Sequence, residues 1–202
     1  MRRIDFQETD QEQIDAFLEK ATYGVLATRH EEYPGITPLN FIWLDGSIYF
    51  HGSRVGQKMK DMAADPRASF SVSEEMAIIP SYFVESDIAC PATSFFKSVV
   101  IRGRLQSIED LDQKVRVFSA FMEKLQPEGG YLPFDLQNRE YYKNVKGTSV
   151  VQLETVALTA KFKFGQNRTE KEWNATAEGL QKRNATKDGA TIEEMKRRCP
   201  FH

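Results

Sequence analysis

The chain contains 202 residues, of which 41% are hydrophobic and 28% charged, enough to bury the core of one large domain. Its formal net charge of −2 gives no electrostatic footprint for nucleic acid, and no apolar run approaches the roughly 18 residues of a membrane helix. The N-terminus has no hydrophobic signal core, so we expect a cytoplasmic protein that binds neither nucleic acid nor membrane.

The first part of the chain reads as one helix followed by a strand meander. Thr9-Asp10-Gln11-Glu12 is typical of a capping box, and the apolar residues that follow it keep helical spacing, which predicts a helix over about 10–21. The small, β-prone segment 23–29 predicts the first strand. Polar residues and Pro34-Gly35 then form a turn into a second strand over 36–43.

Asp45-Gly46 lies between aromatic and β-branched runs, which is the strongest short hairpin pattern in the sequence. Both central residues of a type I′ turn need positive φ, and Asp-Gly meets that need. We therefore expect a hairpin at 44–47, with a strand leading to His51. Gly52 and Gly56 follow it and allow the backbone to bend closely around a ligand.

The loop after this strand carries the chemistry of an anion pocket. Ser53 offers a hydroxyl, Arg54 and Lys58 offer two cations, and the start of a helix offers free amide groups to a phosphate. It is not a Walker loop, because the spacing from Gly52 to Lys58 misses GxxxxGK[ST]. The alternative is a solvated loop with ordinary basic residues.

The middle of the chain mixes helices, strands and one irregular stretch. A helix is predicted over 56–64 and a strand over 68–72. Segment 74–93 reads as an extended, partly irregular excursion that can accommodate a strand around 82–84. A long strand follows over 95–108, where Gly103 indicates a bend.

The last third begins with apolar residues at helical spacing, which predict a helix over 109–125. A loop with a short helix is expected over 131–144, and the last strands over 148–164. Thr169 and Glu172 then predict a capped helix to about residue 181, and Thr191 the start of a final short helix. Many strands with connecting helices predict a mainly β fold, a β-barrel with peripheral helices.

The two cysteines, Cys90 and Cys199, are isolated from each other, and no CxxC pair is present. Each stands close to a proline, and neither has a histidine beside it that would suggest a shared metal. We expect buried or inert thiols rather than a metal or redox site.

Several short motifs follow one another in order along residues 10–108. They are Gly24-Val-Leu-Ala-Thr28, Pro38-Leu39-Asn40-Phe41, Asp45-Gly46, Tyr49-Phe50-His51-Gly52-Ser53, Gly56-x-Lys58, Asp65-Pro66-Arg67 and Lys97-Ser98-Val99-Val100-Ile101-Arg102-Gly103. This order resembles the pyridoxamine 5'-phosphate oxidase-like split-barrel flavoproteins, with the nitroimidazole-resistance (Nim) type closest. The segment from Ala160 to Glu170, with Gly179-Leu180, is instead similar to the end of the Pai-type FMN-binding regulators. Segment 74–93 fits no motif of the family.

The resemblance implies an FMN-binding split barrel over 1–165, a helical extension over 166–202, and a homodimer with FMN at the subunit interface. Lys58 and Ser53 would hold the phosphate, with Arg54 as a weaker candidate. The remaining implied cofactor contacts are Leu39 and Asn40 beside the isoalloxazine, His51 near the flavin, Ser98 from the partner chain, and Arg168. His51 is also the candidate catalytic residue, and no metal site is expected.

The implied activity is that of an oxidoreductase, which passes electrons from a nicotinamide donor to a small acceptor such as a nitro compound. In such enzymes the flavin carries the chemistry and the protein supplies position and electrostatics. Two alternatives stay open. The chain could be a non-catalytic flavin-binding regulator or flavin store, or it could bind haem on the same fold with His51 as a ligand.

Overall fold

The computed structural model describes residues 3–84 and 86–201. Its strands are β1 Gln7–Glu8, β2 Tyr23–Thr28, β3 Gly35–Asn40, β4 Ile42–Leu44, β5 Ser47–Gly52, β6 Arg67–Ile79, β7 Thr93–Ile108 and β8 Ser149–Lys163. Its helices are α1 Gln11–Lys20, α2 Gln57–Ala64, α3 Leu111–Leu125, α4 Arg139–Gly147, α5 Glu170–Arg183 and α6 Asp188–Arg197. Two short 3-10 helices lie at Ile4–Phe6 and Ser81–Val84.

The chain divides into two compact units. One comprises the described residues of segments 1–10, 73–99 and 159–202, and the other comprises 11–72 and 100–158. We call them the first and the second unit. Strands β6, β7 and β8 each begin in one unit and end in the other.

The strand order is β3-β2-β6-β7-β8-β5-β4, with β1 added to β8. β3 and β4 stand at opposite ends of this order, yet Phe41 alone separates them along the chain. The sheet therefore curls within the second unit into a half-barrel. This confirms the predicted mainly β split barrel with peripheral helices.

The β4–β5 turn has the geometry that its residues predict. Asp45 has φ of 50° and Gly46 has φ of 71°, so both central residues are left-handed, as a type I′ turn requires. Leu44 pairs with Ser47 across this turn. The predicted hairpin at 44–47 is therefore confirmed, and it fixes the register that places His51 near the end of β5.

The core of the second unit lies between the half-barrel and α3. Ile42, Tyr49 and Val150 of the sheet pack with Val117 and Phe121 of the helix, and all five are buried. The helical spacing in the sequence puts Phe121 on the apolar face together with Val115 and Phe118, but not Lys114 or Val117. The structure instead buries the face that carries Lys114, Val117 and Phe121.

Phe41, where the chain passes from β3 to β4, is buried, with its ring edge-on to Phe70 at a centroid distance of 5.0 Å. The ammonium group of Lys124 lies 4.6 Å from the centre of the Phe41 ring and donates to the carbonyl oxygens of Phe41 at 3.2 Å and Leu18 at 3.4 Å. These contacts divide what the sequence predicts as one strand over 36–43 into two.

In the first unit, aromatic side chains of β7 and of the end of β8 contact each other and the residue that follows α6. Phe95 and Phe164 meet edge-on at 6.1 Å, and the guanidinium of Arg198 lies 5.0 Å from the centre of the Phe162 ring. The capping box at the start of α5 is present, because Thr169 and Glu172 bond to each other's backbone. This cap confirms the predicted start of that helix.

Several sequence predictions about these elements are wrong. The expected strand over 68–72 lies wholly within β6 but ends too early, because β6 continues to Ile79. Residues 81–84 form a 3-10 helix rather than a strand. Residues 148–164 form one strand rather than several. The last helix starts at Asp188, which places Thr191 inside it.

For the two cysteines, the buried alternative of the expectation is wrong. Cys90 is exposed and Cys199 is partly exposed, so neither thiol is buried.

Among the helices of the described residues, none is both long and apolar enough to cross a bilayer. Gly103 accommodates close backbone approach, since a Cβ there would lie 1.9 Å from the Glu154 carbonyl oxygen.

Candidate functional site

The sequence-predicted site residues fall into both units. Leu39, Asn40, His51, Ser53, Arg54 and Lys58 belong to the second unit. Ser98 and Arg168 belong to the first unit. Four of the six second-unit residues, His51, Ser53, Arg54 and Lys58, lie between the end of β5 and the first turn of α2.

Lys58 lies over the backbone at the end of β5. A Cβ built on Gly52 would come within 3.1 Å of Lys58 Nζ, so the ammonium group occupies the space that any larger residue would fill. Lys58 is itself partly buried, and it belongs to the first turn of α2. The absent side chain of Gly52 therefore lets a cation approach the strand end closely.

The start of α2 adds unpaired amide groups to this cation. Gly56 is the N-cap residue, with φ of 148°, and no side chain caps the helix in the part of the chain described. A helix start carries partial positive charge and free N–H groups, which attract anions. Lys58 and the helix start together make a cationic cradle.

Ser53 and Arg54 lie in the loop between the strand and the helix, and both are exposed. The Ser53 hydroxyl oxygen accepts the Val55 N–H at 3.2 Å, which tightens the loop. The Arg54 guanidinium donates to the carbonyl oxygen of Lys146, near the end of α4. This bond directs at least one guanidinium nitrogen towards α4.

His51 stands beside the cradle, at the position that pairs with Val150 of β8. Its ring meets Phe121 edge-on at 4.9 Å and Phe118 at 5.7 Å, although much of the residue remains exposed. Burial against these rings, and then the charge of Lys58, lower the pKa of His51 below 6.5. The imidazole is therefore neutral at pH 7.

Leu39 and Asn40 end β3, where they pair with Gly24 and Tyr23. Leu39 is half-buried, and Asn40 is exposed. The Asn40 side-chain amide donates to the carbonyl oxygen of Thr22 at 2.9 Å. This bond ties the end of β3 to the residue that precedes β2.

In the first unit, Ser98 lies on β7 and is partly exposed. Arg168 lies just before α5, where its guanidinium donates to the Pro91 carbonyl oxygen at 3.3 Å and sits 5.9 Å from the centre of the Phe95 ring. A pocket of about 380 Å³ is lined by Arg168, Lys163 and Cys90, among others. These contacts anchor Arg168 within its own unit.

Sequence reasoning missed a buried carboxylate on α2. Asp61 Oδ1 lies 2.8 Å from His30 Nδ1 and accepts from Gln57 Nε2 at 2.8 Å, while its Oδ2 accepts the Thr28 hydroxyl at 2.8 Å. Burial alone would raise the pKa of Asp61, but these three hydrogen bonds outweigh it and lower the pKa. The network fixes α2 against β2.

Lys114 is a second side chain that the sequence analysis missed. It is 1% exposed and donates to the carbonyl oxygen of Thr148 at 3.0 Å. Burial lowers the pKa of Lys114; the charge of Glu109 opposes this shift, and the charge of Arg54 adds a smaller lowering. A lysine at the helical spacing of Val117 and Phe121 was the only signal that the sequence offered.

The arrangement at the end of β5 suits an anion. Lys58, Arg54 and the start of α2 contribute positive charge, and the neutral imidazole of His51 lies alongside. Within residues 3–84 and 86–201, no group of three or more His, Cys, Asp or Glu side chains could hold a metal ion. A phosphate group is the ligand chemistry that these donors fit.

Comparison with known proteins gives one family and many structures. The family model described as pyridoxamine 5'-phosphate oxidase matches residues 10–162. Comparison with curated proteins gives no match.

Three similar solved structures illustrate the fold. The flavocytochrome Anf3 from Azotobacter vinelandii has a TM-score of 0.66 at 21% identity, covering 84% of this chain and 75% of that one. The FAD and heme binding protein from Mycobacterium smegmatis has a TM-score of 0.63 at 17% identity, covering 84% and 78%. A putative 5-nitroimidazole antibiotic resistance protein from Bacteroides thetaiotaomicron has a TM-score of 0.61 at 17% identity, covering 77% and 85%.

Proposed function

The chain belongs to the pyridoxamine 5'-phosphate oxidase family, and from this membership and the cradle at the end of β5 we propose that it is a flavoprotein that binds FMN. FMN carries a terminal phosphate dianion on a flexible ribityl chain, beside a planar ring. The cradle meets the phosphate, and the surface around His51 meets the ring. FAD is the flavin that the descriptions of similar structures name, and it is the competing cofactor.

The observation that carries this proposal is the position of the Lys58 ammonium over Gly52, next to the uncapped start of α2. A lysine in the first turn of a helix opposes the helix dipole and is unfavourable without an anion. A bound phosphate makes the lysine favourable at this position, because the phosphate interacts with both the ammonium group and the amide groups. Ser53 and Arg54 are placed to add further hydrogen bonds.

The ring of FMN is assigned to the second-unit residues around His51. Leu39 and Asn40 supply backbone groups and the amide oxygen of Asn40 for the ring edge, as the family resemblance implies. Ser98 of the partner subunit and Arg168 are the remaining proposed cofactor contacts. Their placement beside the cofactor is part of the proposal.

The proposed reaction moves two electrons from a reduced nicotinamide dinucleotide to a small acceptor. When bound, FMN supplies the hydride-accepting and hydride-donating chemistry. With a nitro compound as acceptor, one hydride from the donor and one solvent proton give a nitroso compound and water. His51, held neutral by burial and by Lys58, accepts a hydrogen bond or a proton beside the ring and is the proposed catalytic residue.

We also place the chain in a homodimer. β3 is the end strand of the sheet order. Ile36 on β3 is 60% exposed, and Tyr23 on the neighbouring β2 is 56% exposed. An open strand edge with large apolar side chains is a surface that a second copy can cover. Light scattering at micromolar concentration should give the mass of two chains, and a monomer would contradict this part of the proposal.

The test of the flavin site compares FMN with riboflavin, which lacks the phosphate. Lys58→Ala should weaken FMN binding by about ten- to a hundredfold, because it removes a charge-assisted contact. Riboflavin affinity should hardly change. Lys60→Ala, an exposed lysine on the same helix, is the matched control and should bind both ligands as the wild type does. Protein that stays colourless after incubation with FMN would overturn the proposal.

Two other functions are distinguished by the same purified protein. A flavin store or regulator would bind FMN but reduce it only slowly with both NADH and NADPH. Haem binding is favoured by the neutral state of His51, which an iron ligand requires, and two of the similar structures are described as haem or cytochrome proteins. Haem added to the wild type would then give a Soret band that His51→Ala loses.

A further inference from the structure

Helix α3 buries a lysine that the proposed function does not use. Lys114 is 1% exposed, and its ammonium group donates to the Thr148 carbonyl oxygen at 3.0 Å. Within the described part of the chain it forms no ion pair. Lysine is seldom buried to this extent without an opposite charge beside it, because a buried charge loses its hydration. The charge of Lys114 therefore costs stability unless an anion compensates it.

Thr148 connects this lysine to the end of β5. The next residue, Ser149, begins β8 and pairs with Gly52. Gly52 is the residue whose absent side chain makes room for the Lys58 ammonium group. Lys114 therefore binds the backbone one residue away from the strand pair that underlies the cradle.

Arg54 binds the same short segment from the loop between β5 and α2. Its guanidinium donates to the carbonyl oxygen of Lys146, two residues before Thr148. Both cations thus meet the end of α4, where free carbonyl oxygens attract positive charge. Burial is the main cause that lowers the pKa of Lys114; the charge of Glu109 opposes it, and the charge of Arg54 adds a smaller lowering. The two like charges are therefore close enough to repel each other.

Helix capping accounts for Arg54 but not for the burial of Lys114. A cation that only caps a helix end can stay in water, as the exposed Arg54 does. Lys114 instead reaches its carbonyl oxygen from the buried face of α3, one turn before Val117. Solvent screens a charge poorly at this depth, so the charge acts more strongly on its surroundings than a surface charge does. A phosphate dianion at the cradle would attract Lys58, Arg54 and Lys114 together and offset the repulsion between the last two.

We propose that Lys114 is a positioning residue of the phosphate site, which holds residues 146–148 at the end of β5 and adds a buried positive charge close to the cradle. This inference rests on the proposed binding of FMN there. Lys114 is too buried to contact the cofactor, so it acts through the Thr148 carbonyl oxygen and through its charge. The consequence is a site that favours a ligand with a phosphate dianion over the same ligand without one.

The test compares Lys114→Met with Lys124→Met, which changes a second lysine of α3. Lys124 also donates to backbone carbonyl oxygens, those of Leu18 and Phe41, and neither belongs to the cradle. Fluorescence titration with FMN and with riboflavin gives the ratio of the two affinities for each variant. Lys114→Met should lower FMN affinity about three- to tenfold and leave riboflavin affinity unchanged. Lys124→Met should keep the wild-type ratio.

A second measurement separates the charge of Lys114 from a purely structural contribution. Phosphorus NMR of bound FMN should give a higher phosphate pKa in Lys114→Met than in the wild type, because a nearby positive charge stabilises the dianion. Should Lys114→Met not fold, Lys114→Gln removes the charge but keeps a hydrogen-bond donor, and the same results are expected of it.

Two outcomes would overturn the inference. If Lys114→Met lowers the temperature of unfolding but keeps the wild-type affinity ratio and phosphate pKa, the lysine only caps α4. The proposed function stands in that case, provided that Lys58→Ala still separates FMN from riboflavin. If the wild type binds no FMN, the proposed function fails and this inference fails with it.

Discussion

Lys58 and Gly52 share one small volume, since a methyl group on Gly52 would come within 3.1 Å of the Lys58 ammonium nitrogen. Gly52→Ala should therefore push the flexible lysine aside by a few tenths of an ångström rather than break the fold. We expect a few-fold loss of FMN affinity, smaller than the loss caused by Lys58→Ala. Riboflavin binding should stay unchanged, and fluorescence titration measures both. Equal weakening of both ligands would mean that Gly52 supports the ring instead.

The pKa of His51 should respond to Lys58. Burial is the larger cause of its lowered pKa and the charge of Lys58 is the second, so Lys58→Met should raise the pKa but leave it below 6.5. The chain has three histidines, and the NMR signal lost in His51→Gln identifies this one. A bound phosphate should move the pKa upwards in the wild type.

The same pKa shift has a consequence for stability. Below pH 6.5 the unfolded chain binds a proton that the folded His51 still refuses, so the free energy of unfolding falls as the pH is lowered through this range. His51→Gln should show a shallower fall between pH 6.5 and pH 5 in urea titrations. An identical slope in wild type and variant would contradict the pKa assignment.

Lys124 should make the protein more stable at alkaline pH. Burial lowers its pKa to about 8. Between that value and its ordinary 10.5 the unfolded chain keeps a proton that the folded chain has released, so the free energy of unfolding rises with pH. Lys124→Met should reduce the rise between pH 8 and pH 9.5. A smaller rise in the free energy of unfolding should remain in this variant, because burial also lowers the pKa values of Lys114 and Lys163.

The matched control for this measurement is Lys143→Met, which changes an exposed lysine of α4. It should keep the full rise of the wild type. The prediction fails if Lys124→Met and Lys143→Met give the same pH profile.

Gly103→Ala should destabilise the sheet. Its Cβ would lie 1.9 Å from the backbone oxygen of Glu154, and a strand cannot move aside as a side chain can. We expect a loss of about 1–3 kcal/mol or more in the free energy of unfolding. Gly147→Ala is the control, because nothing lies within 4 Å of its Cβ position at the end of α4. It should stabilise the protein by about 0.4–1 kcal/mol. Thermal unfolding of both variants decides the matter.

Local patterns in the sequence predicted the local structure well. The Asp45-Gly46 turn and the Thr169-to-Glu172 capping box are confirmed because each depends only on residues within one turn. The order of short motifs also identified the family. The sequence also put Lys58 at the start of a helix that follows Gly52, and the structure brings the two residues together.

Features that depend on distant residues could not be read from the sequence. The Asp61 carboxylate meets His30 across 31 residues, and Lys114 meets the Thr148 carbonyl across 34. Segment 74–93, which reads from the sequence as a partly irregular excursion, begins with the second half of β6. Its charges are matched from far along the chain, since Lys187 pairs with Glu74 at 2.8 Å and Ser94 donates to Glu75 at 3.3 Å.

β6, β7 and β8 each pass from one compact unit to the other, and neither unit is a continuous stretch of chain. A single genetic crossover therefore cannot exchange one unit for its counterpart in a relative, because no single cut point separates the residues of the two units. Such an exchange takes four junctions, at residues 10/11, 72/73, 99/100 and 158/159, and three of them fall inside β6, β7 and β8.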